Sequence, residues 1–325
     1  MQSKKIRFGV LGYADIAKRK FIPALLKSKF AVLHGIASRS NRKAIKYAKQ
    51  YETKPHSYQN LLDSPDTDAV YIPLPNSMHF NWALKALFAG KHVLCEKPAV
   101  LNEKDAKLLI EAATENDKAI MEGFMFLHHP QHSMVKEIID KNDIGEIRLF
   151  RSSFGFTLRD IKNFRLINEP GCGCLYDLAG YPIAMMRFLF NQIPKESKGF
   201  IEVNKDEVDV SYEAVLSFEN DLKALISGGF RQQYECFYEI IGSKGKVTLD
   251  RAYTTPADMK NNFTITTGSD TQTVSMKPSD HFTDMIDYFS NNLNNAKARR
   301  KMLEDLMMQA RGMDILRKGL EKIKV

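Results

Sequence analysis

The chain has 325 residues, 44% of them hydrophobic and 26% charged. That fits a globular protein of about two domains at roughly 150 residues each, and is too apolar for a disordered chain. No apolar run approaches the ~18 residues of a membrane-spanning helix, and the net charge of +8 is concentrated at one end: residues 1–54 carry 14 Lys/Arg against two acids, Asp15 and Glu52. A basic segment of this kind attracts phosphate-bearing partners. No nucleic-acid-binding motif accompanies it, so a phosphorylated cofactor or substrate is expected, with no nucleic acid and no membrane as partner. The start, Met1 to Lys5, is basic like a signal peptide, but the apolar stretch after it is only Ile6 to Leu11. It reads as a buried first strand. Four cysteines, Cys95, Cys172, Cys174 and Cys236, give no disulfide framework, and Cys172-x-Cys174 lacks further ligands at zinc spacing. They read as reduced thiols of a cytoplasmic protein.

The first third alternates strand and helix signals. Strands are expected at Ile6–Leu11, Ala31–Ala37, Ala69–Pro73, His92–Cys95 and Ala119–Met121. Helices are expected at Ile16–Lys27, split by Pro23, and at Asn41–Gln50, Ser77–Ala89 and Glu103–Glu115. Such alternation implies an α/β Rossmann domain, a doubly wound parallel sheet, over residues 1–123. The pattern then changes. A helix at Gln131–Asp140, a strand at Ile147–Phe156 and a helix after Asp177 precede strands at Val208–Phe218, Leu222–Arg231, Glu235–Gly242 and Lys246–Asp250. Short turns between strands predict an antiparallel open sheet. Helices at His281–Leu293 and Lys301–Ile323 complete an α+β second domain over residues 124–325, for substrate binding and oligomerisation.

Phe8 to Ala17 joins the first strand to the first helix, with Gly12, Ala14 and Ala17 in a G-x-A-x-x-A arrangement. Gly12 makes the tight turn, a small residue at 14 admits a pyrophosphate, and Ala17 allows close helix–strand packing. The candidate cofactor contacts here are Gly12, Tyr13, Ala14, Asp15 and Ile16, at a helix N-terminus whose free N–H groups suit phosphate. The second strand ends in Ala37-Ser38-Arg39-Ser40. An NAD site places a carboxylate there for the ribose hydroxyls. A hydroxyl and a guanidinium suit a 2′-phosphate instead, so Ser38 and Arg39, assisted by Arg42 or Lys43, predict NADP(H).

Three further motifs stand in order: Pro75-Asn76-x-x-His79, Gly90-Lys91-His92-Val93-x-x-Glu96-Lys97-Pro98, and Gly171-x-Gly173-x-Leu175-x-Asp177-x-x-x-Tyr181-Pro182. Together they resemble the glucose–fructose oxidoreductase / inositol dehydrogenase (Gfo/Idh/MocA) family over nearly the whole chain. Met121 to His132, the turn Tyr13-Ala14-Asp15-Ile16-Ala17 and Tyr181-Pro182-Ile183 are similar to the branch of bacterial C-3 ketoreductases of dTDP-linked keto-deoxysugars. The resemblance implies hydride transfer to or from a sugar carbonyl or hydroxyl. Its alternatives are an NADP-dependent dehydrogenase of a free sugar or trans-dihydrodiol, and a non-catalytic dinucleotide-binding regulator.

A hydride reductase must polarise the carbonyl oxygen and deliver a proton. Lys97 is the candidate for polarisation, which the resemblance places at the reacting end of the substrate, and also for cofactor contact. Tyr181 is the candidate proton donor, a phenol protonated at neutral pH. Asp177, four residues earlier, orients substrate or lysine. Pro73, Leu74, Asn76 and His79 follow the third of the expected strands at the ligand edge, although Asn76 is equally a helix cap. Glu96 is structural or cofactor-facing. Phe126, His128, His129 and Arg165 are candidate substrate contacts, Arg165 being equally suited to an ion pair. His128, His129 and His132 lack a completing carboxylate or cysteine, so no metal is expected. The resemblance further implies a homo-oligomer, dimer or tetramer, through the open face of the second sheet.

Overall fold

A computed structural model describes residues 4–160 and 162–325; Met1–Ser3, part of the basic start, lie outside the described residues. The chain divides into two compact units, one running to Met125 and resuming over His281–Met307, the other formed by Phe126–Asp280 and Met308–Val325.

The first unit is built on β1 (Ile6–Leu11), β2 (Ala31–Ala37), β3 (Lys54–His56), β4 (Ala69–Ile72), β5 (His92–Cys95) and β6 (Ile120–Glu122). Between them run α1 (Ile22–Lys27), α2 (Asn41–Gln50), α3 (Tyr58–Asp63), α4 (Asn76–Phe88) and α5 (Glu103–Glu115). The strand order is β3-β2-β1-β4-β5-β6, and every neighbouring pair is parallel. The order reverses between β1 and β4, and open α/β sheets bind ligands at such a switch point, outside the carboxyl ends of the strands. Central strands of this kind are buried on both faces; Phe8, Val10, Leu11, Val70, Tyr71, Val93 and Leu94 are fully so. Three expectations change. Pro23 does not split the first helix: a π turn at Ala17–Phe21 runs directly into α1, and Pro23 follows it inside one continuous helical run, the wider turn being the local adjustment that accommodates a residue with no N–H. β3 and α3 lie in a stretch without a clear period; β3 is a three-residue edge strand that tolerates Pro55 because an edge leaves donors unused. Helix α4 starts at Asn76 itself, with Pro75 in the cap position, so Asn76 is not the N-cap.

The rest of the chain forms α6 (Pro130–Asp140), β7 (Ile147–Thr157), a π turn at Leu175–Ala179 leading into α7 (Gly180–Phe190), β8 (Glu196–Val203), β9 (Asp209–Ser217), β10 (Lys223–Gly229), β11 (Arg231–Gly242), β12 (Gly245–Asp250), β13 (Asn262–Thr267), β14 (Asp270–Ser275), α8 (His281–Asn291), α9 (Ala296–Lys318) and β15 (Leu320–Lys324). The second unit holds a nine-stranded sheet ordered β14-β13-β12-β11-β7-β10-β9-β8-β15. It is antiparallel except for the β7–β10 and β8–β15 pairs. Alternation sets its faces: Val210, Tyr212, Ala214 and Leu216 of β9 are buried, whereas Val215 is 50% exposed opposite Leu225 at 41%.

The expected boundaries of 1–123 and 124–325 need correction at the C-terminal end. Phe282, Met285, Ile286, Phe289 and Leu293 of the α8 segment and Met302 of α9 share one core with Phe8, Phe21 and Tyr71, so His281–Met307 belong to the first unit. Their amphipathic spacing predicted helices but carries no address for the partner surface. The last expected helix also ends early. Gly319 lies against Ser197 with no room for a side chain, and the chain turns out into β15, parallel to β8.

Candidate active site

The turn after β1 has the shape that its residues dictate. Gly12 has φ +104° and donates its N–H to Ala37 O at 3.0 Å. A Cβ at this position would stand 2.9 Å from Leu74 Cδ2 and 3.6 Å from the Tyr58 hydroxyl. The cradle is thus held open on both sides of the switch point by the absence of a side chain. Ala17 is fully buried in the core, which brings the helix start against the sheet. The Tyr13 side chain is engaged away from the turn: its ring stacks on Tyr47 at 3.7 Å and its hydroxyl meets those of Tyr51 at 3.1 Å and Gln50 Oε1 at 3.3 Å. Burial pushes its phenol well above the usual range. Asp15 pairs with Arg19 at 3.0 Å in solvent. For Tyr13 and Asp15 the groups offered to a ligand are therefore backbone N–H groups, as a helix N-terminus offers phosphate.

At the carboxyl end of β2 the Ser38 N–H donates to His56 O at 3.2 Å, and Ser38 Oγ accepts from Ser40 N at 3.3 Å. Ser40 Oγ in turn accepts from Lys43 N at 3.4 Å, capping α2. Arg39, Arg42 and Lys43 are exposed at or beside this helix start, in the segment where a 2′-phosphate is expected. Tyr58, which the sequence reading missed, lies beside Arg39: burial raises its phenol and the Arg39 charge pulls it back. It stands on α3, in the stretch whose structure the hydrophobic pattern did not announce. These residues fit a dinucleotide.

The lysine motif leaves β5 at the same edge of the sheet. Glu96 accepts a 2.6 Å hydrogen bond from the Tyr71 hydroxyl, so one of its oxygens is bound to the core of the sheet. Tyr71 is stacked on Phe21 at 3.5 Å, and burial first, then the Glu96 charge, raise its phenol. Lys97 and Glu96 are half-buried, and the Lys97–Pro98 peptide is cis. His79 differs from expectation. It is 1% exposed, and its ring lies between Pro98 O, 2.8 Å from Nδ1, and Leu74 O, 2.7 Å from Nε2. Burial lowers its pKa, and the Lys97 charge adds to that. Both nitrogens lie against backbone carbonyls, one of which the neutral ring's single N–H can bond, so His79 does not face a cofactor.

In the second unit Tyr181 stands in the first turn of α7, 6% exposed. Its ring packs on Phe126 at 5.2 Å, Phe154 at 4.9 Å and Tyr253 at 5.5 Å. The Tyr253 hydroxyl lies 2.6 Å from Ser152 Oγ, which donates to Phe237 O. Asp177, on the π turn before α7, accepts from Arg165 Nε at 2.6 Å. Arg165 is thus an ion-pair partner of Asp177 rather than an isolated surface cation. Asp209, another residue absent from the sequence reading, accepts from Leu175 N at 2.6 Å and from the Cys174 thiol. No local motif marks it; it lies 32 residues beyond Asp177 in sequence.

Phe126 is fully buried against Tyr181 and Tyr253, a supporting ring rather than a surface for substrate. His129, 1% exposed, caps α6 through Nδ1. His132 is fully buried between the Tyr238 hydroxyl and Ala252 O. Of the histidine cluster only His128, half-buried, keeps the expected position near a surface. Among the described residues no group of three or more His, Cys, Asp or Glu is placed to hold a metal ion.

A parallel sheet wound in this order, with a glycine turn at its switch point and a lysine at its carboxyl edge, defines a dinucleotide-binding oxidoreductase. The chain belongs to the Gfo/Idh/MocA oxidoreductase family. The family's NAD-binding Rossmann fold matches residues 6–124 and its C-terminal domain matches residues 132–248. A dTDP-3,4-didehydro-2,6-dideoxy-alpha-D-glucose 3-reductase of Actinomadura kijaniata is 35% identical over 322 residues, 98% of this chain and 96% of that one. An enzyme of the same name from Saccharopolyspora spinosa is 37% identical over 257 residues, 78% of this chain and 77% of the other. The crystal structure of a 3-ketoreductase from Actinomadura kijaniata with NADP and TDP-benzene superposes with TM-score 0.92 at 33% identity, covering 99% of this chain and 100% of that one. No helix among the described residues is long and apolar enough to cross a membrane.

Proposed function

We propose that this protein is an NADP(H)-dependent ketoreductase of a dTDP-linked 3,4-diketo-2,6-dideoxy sugar, reducing the C-3 carbonyl. The observation that carries the reading is Lys97, held at the carboxyl edge of the parallel sheet in a chain similar from end to end to 3-ketoreductases. When bound, NADPH supplies the hydride that adds to the carbonyl carbon. Ser38, Arg39, Arg42 and the α2 N-terminus hold its 2′-phosphate, and the N–H groups of Ala14 to Ile16 hold its pyrophosphate. The Lys97 ammonium hydrogen-bonds the carbonyl oxygen and stabilises the charge that develops there. The Tyr181 hydroxyl donates the proton that completes the alcohol. Asp177, fixed by Arg165, orients the sugar.

The test is turnover of the dTDP-linked 3,4-diketo sugar with NADPH, with the product identified by mass spectrometry. Lys97→Met and Tyr181→Phe are expected to lose at least about 100-fold in kcat. Wild-type turnover in both variants, or activity confined to free sugars, overturns the assignment.

The same reading includes a homo-oligomer. Val215 and Leu225 face each other across β9 and β10 on the outer face of the sheet, with Phe200 on β8 also exposed. An apolar row in mid-sheet suits a self-complementary interface. Light scattering behind a sizing column checks this, and Val215→Lys is expected to shift the mass toward the monomer. A cytoplasmic setting fits the four free cysteines.

A further inference from the structure

The backbone just beyond Lys97 is held by two side chains from other elements. His79, on α4, meets Pro98 O at 2.8 Å with one ring nitrogen and Leu74 O at 2.7 Å with the other. Glu122, the last residue of β6, accepts from Ala99 N at 2.9 Å. Pro98 has no N–H, so Pro98 O and Ala99 N are consecutive polar groups of this buried loop, and each has a partner from a different side. Leu74 in turn packs on the Gly12 turn. The neutral ring carries one N–H, so His79 donates to one of these two carbonyls and sets its other nitrogen against the second, wedged between the loop that bounds the cofactor cradle and the loop that carries the lysine.

A lysine is a point charge on a flexible four-carbon stem, so its ammonium is only as well placed as its Cα. Misplacement of a reacting group by about 1 Å costs on the order of 100-fold in rate. We infer that His79 and Glu122 are positioning residues: they clamp Pro98 and Ala99 from two sides so that Lys97 meets the substrate carbonyl. This inference rests on the reading of Lys97 given above.

The test compares Lys97→Met, Glu122→Ala, Glu122→Gln and His79→Ala in steady-state kinetics with the keto sugar and NADPH. NADPH affinity is followed through Trp82, the single tryptophan, and folding by thermal unfolding. Glu122→Ala is expected to lose about 10- to 100-fold in kcat with NADPH affinity within about threefold of wild type. Glu122→Gln keeps an amide oxygen for Ala99 N and is expected to recover most of that loss. His79→Ala is expected to lower kcat more than it raises either KM. If His79→Ala fails to fold, the Glu122 pair decides. Equal losses in Glu122→Ala and Glu122→Gln overturn the clamp, as does wild-type kcat in Glu122→Ala while Lys97→Met is inactive. Wild-type turnover in Lys97→Met overturns the reading of the lysine itself, and the clamp with it.

Discussion

Asp209 Oδ2 accepts the Leu175 N–H at 2.6 Å, so one carboxylate at the start of β9 binds the beginning of the π turn that leads to Asp177 and Tyr181. Asp209 is buried, and burial raises its pKa while the Leu175 and Cys174 hydrogen bonds pull it back. Gly173, at φ +88°, lies against the same carboxylate with no space for a Cβ. Removing the carboxylate strands a buried N–H. Asp209→Ala is expected to lose about 1–3 kcal/mol of stability in urea unfolding. Asp209→Asn keeps an acceptor and is expected to lose less. Equal losses in the two would show that the acceptor is not what Leu175 N requires.

The cations around Ser38 predict a particular kinetic pattern. Arg39 is exposed, so the proposed contact with a 2′-phosphate would be partly screened by water and salt. Arg39→Ala is expected to raise KM for NADPH by about tenfold and to leave NADH nearly unchanged, since a charge-assisted contact made only to the extra phosphate is lost. The NADPH effect should shrink as ionic strength rises. Trp82 meets Tyr58 edge-on at 4.9 Å, so its emission follows the cofactor titration independently of turnover. An equal change for both nucleotides would place Arg39 outside the 2′-phosphate site.

Structure is legible from sequence where local pattern and local chemistry agree. The buried strands β1, β2 and β5 and the helices α2 and α5 fall at the expected residues because apolar runs and amphipathic spacing leave little choice. Gly12 was legible for the same reason: a strand-to-helix turn at a phosphate site needs a residue without a side chain. Contacts between distant segments were not legible. Glu122 meets Ala99 across 23 residues and Asp209 meets Leu175 across 34; Asp209 lies in no motif, and the stretch that holds Glu122 gives no sign of its partner. His79 was legible as a motif residue but not in its role. Only the fold shows that both of its nitrogens face carbonyl oxygens. The same limit applies to Phe126 and His129, whose position near the site was expected and whose burial was not.

Stability should fall in mild acid, and His92 gives a residue-level check. Its ring is mostly buried and accepts from Ala119 N at 3.0 Å; burial, then the Lys118 and Arg299 charges, push its pKa down to about 4. Between about 6.5, the unfolded value, and that folded value, the unfolded chain binds the extra proton. The contribution is therefore complete above about pH 6.5 and is lost as pH falls toward 4. From pH 7.5 to pH 5 it amounts to about 2 kcal/mol at 1.36 kcal/mol per pH unit. Burial lowers His34, His56, His79 and His129 in the same direction. His92→Asn keeps an acceptor for Ala119 N but does not titrate, so its stability should drop less than wild type over that range. Urea unfolding at both pH values measures the difference, and identical drops would contradict the assignment.

Gly12 tests why the cradle excludes a side chain. Two causes are present: φ of +104°, which an L-residue adopts only with strain, and the approach of Leu74 Cδ2 to within 2.9 Å of a Cβ at that position. The Leu74 contact is the end of a flexible side chain and can yield, whereas the backbone angle cannot relax without moving the turn. Gly12→Ala is expected to leave the fold intact and weaken NADPH binding by at least about tenfold, the equivalent of the 1–3 kcal/mol that an unfavourable φ costs. Combining it with Leu74→Ala separates the causes. If backbone geometry dominates, the double variant binds NADPH no better than Gly12→Ala, because the strained angle persists after the space is cleared. Recovery of affinity in the double variant would assign the requirement for glycine to Leu74 instead.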